Sequence, residues 1–283
     1  MSTPAAIVVG IDGSRSATEA AVWAVDEAVS RDIPLRLVFA LSPDETVHRL
    51  LDAESALQSV RARLEATEQH VTLEAEIVRD SAVRALRAAS REAQMLCVGS
   101  LGLTHGGLTR VGSTAAALAN SADCPVAIIH SAGYESGCVV VEFDDRSASE
   151  SVLRCGVAEA LLRRRALRVV TTWPSRYTDI HDANAVADGN RRARRGLDRR
   201  LAGLRARHPE LDIQAVAIPG NFVNYIARHV SSIRLAVVPH ERAEAIGELV
   251  GPRRPSMPSD LAFNVLVCEQ PAHGRTSSSE QFG

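Results

Sequence analysis

Slid along itself by 132 positions without gaps, the sequence pairs Asp12 with Asp144, Val25 with Val157, Glu27 with Glu159 and Ala28 with Ala160. The match continues with Arg31 and Arg163, Leu35 and Leu167, Arg36 and Arg168, and Val38 and Val170. At a displacement of 140 it resumes, with Ala75 on Ala215, Val83 on Val223 and Val98 on Val238. A self-match of this kind means that one structural plan is used twice. The chain of 283 residues therefore reads as a tandem duplication, each copy long enough to bury its own core. The expected division is a first domain over 1–132, a Ser/Gly-rich connector near Ser131 to Gly137, a second domain over 137–270, and a polar tail over 271–283 expected to be disordered.

Within the first copy, short β-branched runs alternate with amphipathic stretches. Ala5 to Ile11 is apolar enough for a strand buried on both faces, and Asp12-Gly13-Ser14 closes it as a turn in which Ser14 or Ser16 can cap a helix from Ala17 to Arg31. Leu35 to Leu41 predicts a second strand. Pro43 and Asp44 start a long helix with Val47, Leu50, Leu51, Leu57, Val60 and Leu64 on one face. Val71 to Val78, Met95 to Val98 and Pro125 to Ile129 predict the remaining strands, with helices over Ala82 to Ala93 and from Ser113. Regular β-α alternation implies an α/β fold: two tandem, doubly wound, five-stranded parallel-sheet domains of Rossmann-like type, with helices on both faces.

The chemistry concentrates after the fourth strand. Val98-Gly99-Ser100-Leu101-Gly102 leads through a loop to Arg110, and Val111-Gly112-Ser113-Thr114 then opens the Ala-rich run Ala115 to Ala119. Glycines at a strand-to-helix junction permit positive φ and close approach of a ligand to the backbone, while the unpaired amides of the helix start face an anion. This is neither a Walker A loop, since no Gly-Lys-Ser/Thr follows, nor a dinucleotide fingerprint, which belongs after a first strand. A glycine-rich surface loop with a purely structural role is the competing reading.

Two residues separate Gly99 from Gly102 and nine separate Gly102 from Gly112, which is followed by Ser113. In this spacing, and in the flanking strands, the segment resembles the nucleotide loop of the universal stress protein family in its ATP-binding branch. The resemblance implies an ATP site in the first copy formed by Gly10, Asp12, Ala40, Gly99, Gly102, Arg110, Gly112, Ser113 and Thr114. In it Asp12 contacts the adenosine part, the main chain around Ala40 reaches the adenine, and the loop cradles the phosphates. Mg²⁺ is expected to arrive with ATP, held through the phosphates rather than by a protein cage. Asp12 also suits a turn-forming role before Gly-Ser. Arg110 suits phosphate geometry; His105 and Thr104 lie in the same loop. The resemblance further implies an internal pair of domains joined through their last strands, Pro125 to Ile129 and Asn264 to Cys268, with a homodimer through other surfaces as an additional expectation.

The second copy departs from this pattern. Pro239-His240-Glu241-Arg242 stands where the first has Gly99-Ser100-Leu101-Gly102, and Gly251 aligns with Gly112 at a displacement of 139 but is followed by Pro252 in place of Ser113. Proline removes an amide and glutamate repels phosphate, so triphosphate binding is expected to be lost there and Asp144 reads as a turn residue.

All 32 basic residues are arginine, which removes the P-loop amine, Schiff-base chemistry and lysine bases. The net charge of −2 gives no global field to recruit nucleic acid or membrane. Arg191, Arg192, Arg194, Arg195, Arg199 and Arg200 cluster on one helix, but Asp198 interrupts them and no aromatics alternate with them, so a solvated face is favoured over nucleic-acid binding. Five cysteines without a Cys-x-x-Cys pair read as small buried hydrophobes in a reducing compartment. No segment suggests a leader or a membrane span, so a cytoplasmic protein is expected. The nine histidines show no metal-ligand spacing. The leading expectation is an ATP-dependent regulator of stress response or growth. A slow ATPase or other adenine-nucleotide enzyme, for which no catalytic carboxylate pair with a nearby base stands out, and a nucleotide-free interaction scaffold are the alternatives.

Overall fold

The computed structural model describes residues 5–101, 111–133, 136–144, 148–174, 182–245 and 263–268. The first half runs β1 (Ala6–Ile11), α1 (Arg15–Arg31), β2 (Leu35–Leu41), α2 (Val47–Glu65), β3 (Leu73–Arg79), α3 (Ala82–Ser90), β4 (Ala93–Gly99), α4 (Ser113–Ser121) and β5 (Val126–Ile129). The second runs β6 (Cys138–Glu142), α5 (Ala148–Leu162), β7 (Leu167–Trp173), α6 (Ala183–Arg207), β8 (Ile213–Pro219), α7 (Phe222–His229), β9 (Ile233–Val238) and β10 (Asn264–Val267). Short 3₁₀ turns cover Val230–Ser232 and His240–Ala245.

The strands make one sheet in the order β3-β2-β1-β4-β5-β10-β9-β6-β7-β8. Every neighbouring pair is parallel except β5 and β10, which run antiparallel with Val126 opposite Val267 and Ile128 opposite Val265. The displacement of 132 found in the sequence reappears as strand register. Ile7 faces Leu35 and Gly10 faces Val38 in the first half, while Val139 faces Leu167 and Glu142 faces Val170 in the second. Even the irregularity recurs, with a register shift between Ala6 and Ile7 and another between Cys138 and Val139.

Alternation along each strand splits the core into two layers. Ile7, Val9, Leu35, Leu37, Val139 and Val141 pack beneath α1, α2, α5 and α6; Val8, Val38, Leu96, Val140 and Val238 pack beneath α3, α4 and α7. The central strands are apolar on both faces because helices cover both, as parallel sheets require. At the end of the seam the fully buried Asn264 satisfies backbone rather than solvent: its Oδ1 accepts from His130 N at 2.9 Å, and its Nδ2 donates to Ser131 O at 2.9 Å.

The repeat also produces a contact across the halves. Glu27 of α1 and Glu159 of α5, paired by the displacement of 132, are both buried, and the guanidinium of Arg163 sits between them. Arg163 donates to Glu27 Oε1, its Nη1 lies 2.9 Å from Glu159 Oε2, and its face covers the Trp23 ring at 4.1 Å. Arg31 donates to the other oxygen of Glu27. Desolvation, and then the neighbouring Glu27, push the Glu159 carboxyl up to about 8, with the two arginines acting the other way.

Two local expectations are corrected. Helix α2 begins at Val47 with Thr46 as N-cap, not at Pro43 and Asp44, because Pro43 and Asp44 form a turn closed by Glu45 N donating to Ser42 O at 3.0 Å. Its buried stripe is Ala53, Leu57, Val60 and Leu64; Val47 and Leu51 are 75% and 57% exposed, so the apolar face predicted from spacing is narrower than expected. The expected domain limits, with the 271–283 tail, concern segments lying partly outside the described residues.

Candidate functional site

A cavity of about 230 Å³ opens where the carboxyl ends of β1, β2 and β4 meet α3 and the start of α4. That is the crevice beside a topological switch point, where β1 has neighbours reached by crossovers in opposite directions. Seven of the residues singled out from sequence line it: Gly10, Asp12, Ala40, Gly99, Gly112, Ser113 and Thr114. Gly102 and Arg110, with His105 and Thr104, lie outside the described residues.

The start of α4 shapes the chemistry of this cavity. Ala116 N donates to Gly112 O at 3.0 Å, so the amides of Ser113, Thr114 and Ala115 precede the first helical bond and have no acceptor within the helix. In α1, α6 and α7 the cap side chains of Ser14, Asp182 and Asn221 accept from such amides. Gly112, the N-cap of α4, has no side chain to do so, and its own amide is held by Ser100 O at 2.7 Å. The helix therefore presents its first-turn amides to the cavity with the positive end of its dipole behind them.

Each glycine has its own reason. Gly112 sits at φ −71° and ψ 156°, a conformation open to any residue, and Gly99 is not among the positive-φ glycines. Of the two freedoms a glycine offers at this junction, positive φ is used by neither Gly99 nor Gly112. A Cβ on Gly99 would lie 2.7 Å from Ala17 N and from the carbonyl carbon of Ser16, so Gly99 lets β4 press against the first turn of α1. A Cβ on Gly10 would meet Leu86 Cδ1 at 2.7 Å. Positive φ is needed at Gly13, at +85°, in the turn that follows β1. There Asp12 Oδ1 accepts from Ser14 N at 2.8 Å, and Ser14 Oγ accepts from Ala17 N at 3.1 Å. Asp12 is thus both a turn former and the one carboxylate lining the cavity among the described residues.

Sequence reasoning missed several lining residues. Arg49 reaches the cavity from α2 while lying 3.8 Å from Glu45 Oε2 and 3.6 Å from Asp52 Oδ2. Val38, Ala82, Leu86 and Val98 supply the apolar wall. Helical periodicity gives no hint that Arg49, a half-buried arginine among many, belongs to a site formed by distant strands.

A sequence model described as the universal stress protein family matches residues 5–130. Along most of its length the chain is similar to the Mycobacterium tuberculosis universal stress protein Rv2028c, 38% identical over 94% of this chain and 97% of that protein. The chain belongs to the universal stress protein family. Another Mycobacterium tuberculosis member, Rv3134c, is 40% identical over 88% of this chain and 92% of its own length. The fold is that of a solved universal stress protein from Archaeoglobus fulgidus, with a TM-score of 0.67, 14% identity, and coverage of 93% of this chain and 98% of that one.

The second crevice of this universal stress protein differs from the first. Glu142 stands in the register of Gly10, and Arg242 donates to both of its oxygens, with Nε 2.8 Å from Oε2. An ion pair therefore fills the end of β6 where the first half has a bare backbone. The turn His240–Ala245 that carries Arg242 packs on α4, burying Ala243 in the same cluster as Ala115, Leu118 and Ala119. Gly251 and Pro252 lie outside the described residues.

No cluster of His, Cys, Asp or Glu suited to a metal ion occurs among the described residues. Nor is any described helix long and apolar enough to cross a membrane. Burial pushes the Cys97 and Cys138 thiols up, away from the thiolate that redox or nucleophilic chemistry needs.

Proposed function

We propose that this universal stress protein holds ATP in its first half and acts as a nucleotide-dependent regulator rather than an efficient enzyme. The observation that carries the reading is the uncapped start of α4. Three successive amides face a cavity whose other walls are Gly10, Asp12 and Ala40 at the strand ends and an apolar floor of Val38, Leu86 and Val98. The polar mouth suits phosphate oxygens and the apolar floor suits a purine. At about 230 Å³ the described cavity lies below the range of roughly 300–1,000 Å³ typical of whole ligands, so it fits the nucleoside end of a nucleotide better than the full molecule. Asp12 is partly spent on its turn and no second carboxylate lines the cavity among the described residues, which favours holding ATP over hydrolysing it. Mg²⁺ would accompany the phosphates. The shared strand registers support a tandem duplication, and the Glu142–Arg242 pair supports loss of triphosphate binding in the second copy.

Gly112→Asp tests this directly. The backbone at 112 is already extended, as an N-cap requires, so an aspartate there supplies the missing acceptor to α4 while setting a carboxylate against the phosphate position. Calorimetric titration should show ATP bound by the wild type and at least a tenfold loss in the variant, with the melting temperature held or raised. Equal ATP affinity in a folded Gly112→Asp protein would remove the α4 amides from the site, and a wild type that binds no adenine nucleotide would leave the scaffold reading.

A further inference from the structure

The second half opens a different cavity, on the other face of the sheet. It holds about 570 Å³ between α6 and the ends of β6 and β7 and is lined by Phe143, Thr171, Thr172, Ala193, Gly196, Leu197, Arg199 and Arg200. Its origin lies in one exchange between the repeats. At the displacement of 132, Thr171 stands where the first half has Phe39, which is 3% exposed and fills the core beneath α2. A threonine there has a smaller side chain than phenylalanine and carries a hydroxyl, and the cavity opens beside it.

The helix above keeps that volume open. Gly189 of α6 has a packing reason, since a Cβ would meet the Trp173 ring at 2.4 Å, but a Cβ on Gly196 would meet nothing within 4 Å. Glycine inside a helix is unfavourable relative to alanine, and packing accounts for it neither at 196, which lines the cavity, nor at Gly203, which does not. The wall that Gly196 forms with Ala193 is low, and the rim beyond it is basic. Arg199 takes part in no ion pair among the described residues, whereas Asp198 is engaged by Arg194 and Arg205. Arg200 lies with its guanidinium 5.8 Å from the centroid of the Phe143 ring. No carboxylate lines the cavity among the described residues.

From this combination we infer that the second half binds a small organic phosphate in the cavity under α6. The hydroxyl of Thr171, on the α6 face of β7, and the guanidinium of Arg199 suit phosphate oxygens, since arginine binds such oxygens through a planar fork of donors. Leu197 and the edge of Phe143 accept an apolar or aromatic body. The volume lies within the range of small-molecule sites. This site is independent of the first cavity: it lies on the α5 and α6 side of the sheet, and its ligand chemistry does not depend on the α4 amides.

The test uses the full chain and phenyl phosphate as probe, with inorganic phosphate and phenol as its two halves. Ligand-observed NMR and calorimetry should show phenyl phosphate binding at least tenfold more tightly than either half. Thr171→Phe, which restores the residue of the first half, should abolish binding without lowering the melting temperature, and Arg199→Gln should weaken it at least fivefold. Gly112→Asp should leave it unchanged. No binding of phenyl phosphate by the wild type would overturn the proposal. So would binding that survives Thr171→Phe, or binding lost only when the exposed Arg192 and Arg195 are neutralised, since either result assigns the probe to the surface of α6.

Discussion

Replacing Glu159 by glutamine tests the buried charge cluster between the halves. The carboxyl of Glu159, ordinarily titrating near 4.5, is raised to about 8 in the fold by burial and by the adjacent Glu27. A carboxyl raised in this way holds a proton that the unfolded chain has already released, so its contribution to stability is fully present below about pH 4.5 and is lost as pH rises through about 8. Between those limits the loss runs at about 1.4 kcal/mol per pH unit, or roughly 3 kcal/mol from about pH 5.5 to about pH 7.5. Glutamine keeps the shape of the protonated acid and a donor, and removes the titration. Urea denaturation at both pH values, with equal slopes against denaturant, gives the comparison. With glutamine standing for the protonated acid, the Glu159→Gln protein should be more stable than wild type by about 1.4 kcal/mol near pH 5.5 and by roughly 4 kcal/mol near pH 7.5. A deficit of the same size at both pH values would refute the reasoning, because it would show Glu159 ionised throughout as a counter-ion of Arg163.

The two remaining expectations concern backbone contact and the second crevice. Gly99→Ala drives a methyl group against the backbone of α1, so it should lower stability by about 1–3 kcal/mol in thermal or urea unfolding whether or not nucleotide is present; an unchanged melting temperature would deny the close packing of β4 on α1. Arg242→Ala strands Glu142 at the end of β6. With Arg242 one-third exposed and therefore partly screened, a double-mutant cycle with Glu142→Gln should give a coupling of about 1 kcal/mol that falls with added salt.

Much of the fold was legible because apolar runs with a turn at each end leave few choices. The register of β1 on β2 and of β6 on β7 repeats the displacement read by sliding the sequence along itself, since matching side chains in the two halves meet matching partners. The site was legible in its residues more than in its reasons. Gly10, Asp12, Ala40, Gly99, Gly112, Ser113 and Thr114 meet at one cavity, yet Gly99 serves close packing and Gly112 serves by lacking a cap, neither of which a spacing pattern reveals. Arg49 stayed hidden because the distance between α2 and the strand ends is set by tertiary packing. Val47 and Leu51 misled because apolar character in the first turns of α2 does not require burial. The ion pair of Glu142 and Arg242 was invisible for a related reason: the two residues are a hundred positions apart, and only the sheet order brings them together.

The antiparallel seam of β5 and β10 frees this chain from a restriction that binds any assembly of identical subunits. When two copies of one polypeptide meet about a twofold axis, every substitution is made twice, and neither groove can change without its twin. Here peptide continuity links the partners, so each can drift separately while the join between them is kept. Glycine stands near the end of β1 and glutamate at the matching place in β6, and phenylalanine lies under one long helix where threonine lies under the other. The result is a lopsided particle with a fixed ratio of unlike grooves, obtained without any need to sort mixed partners from matched ones.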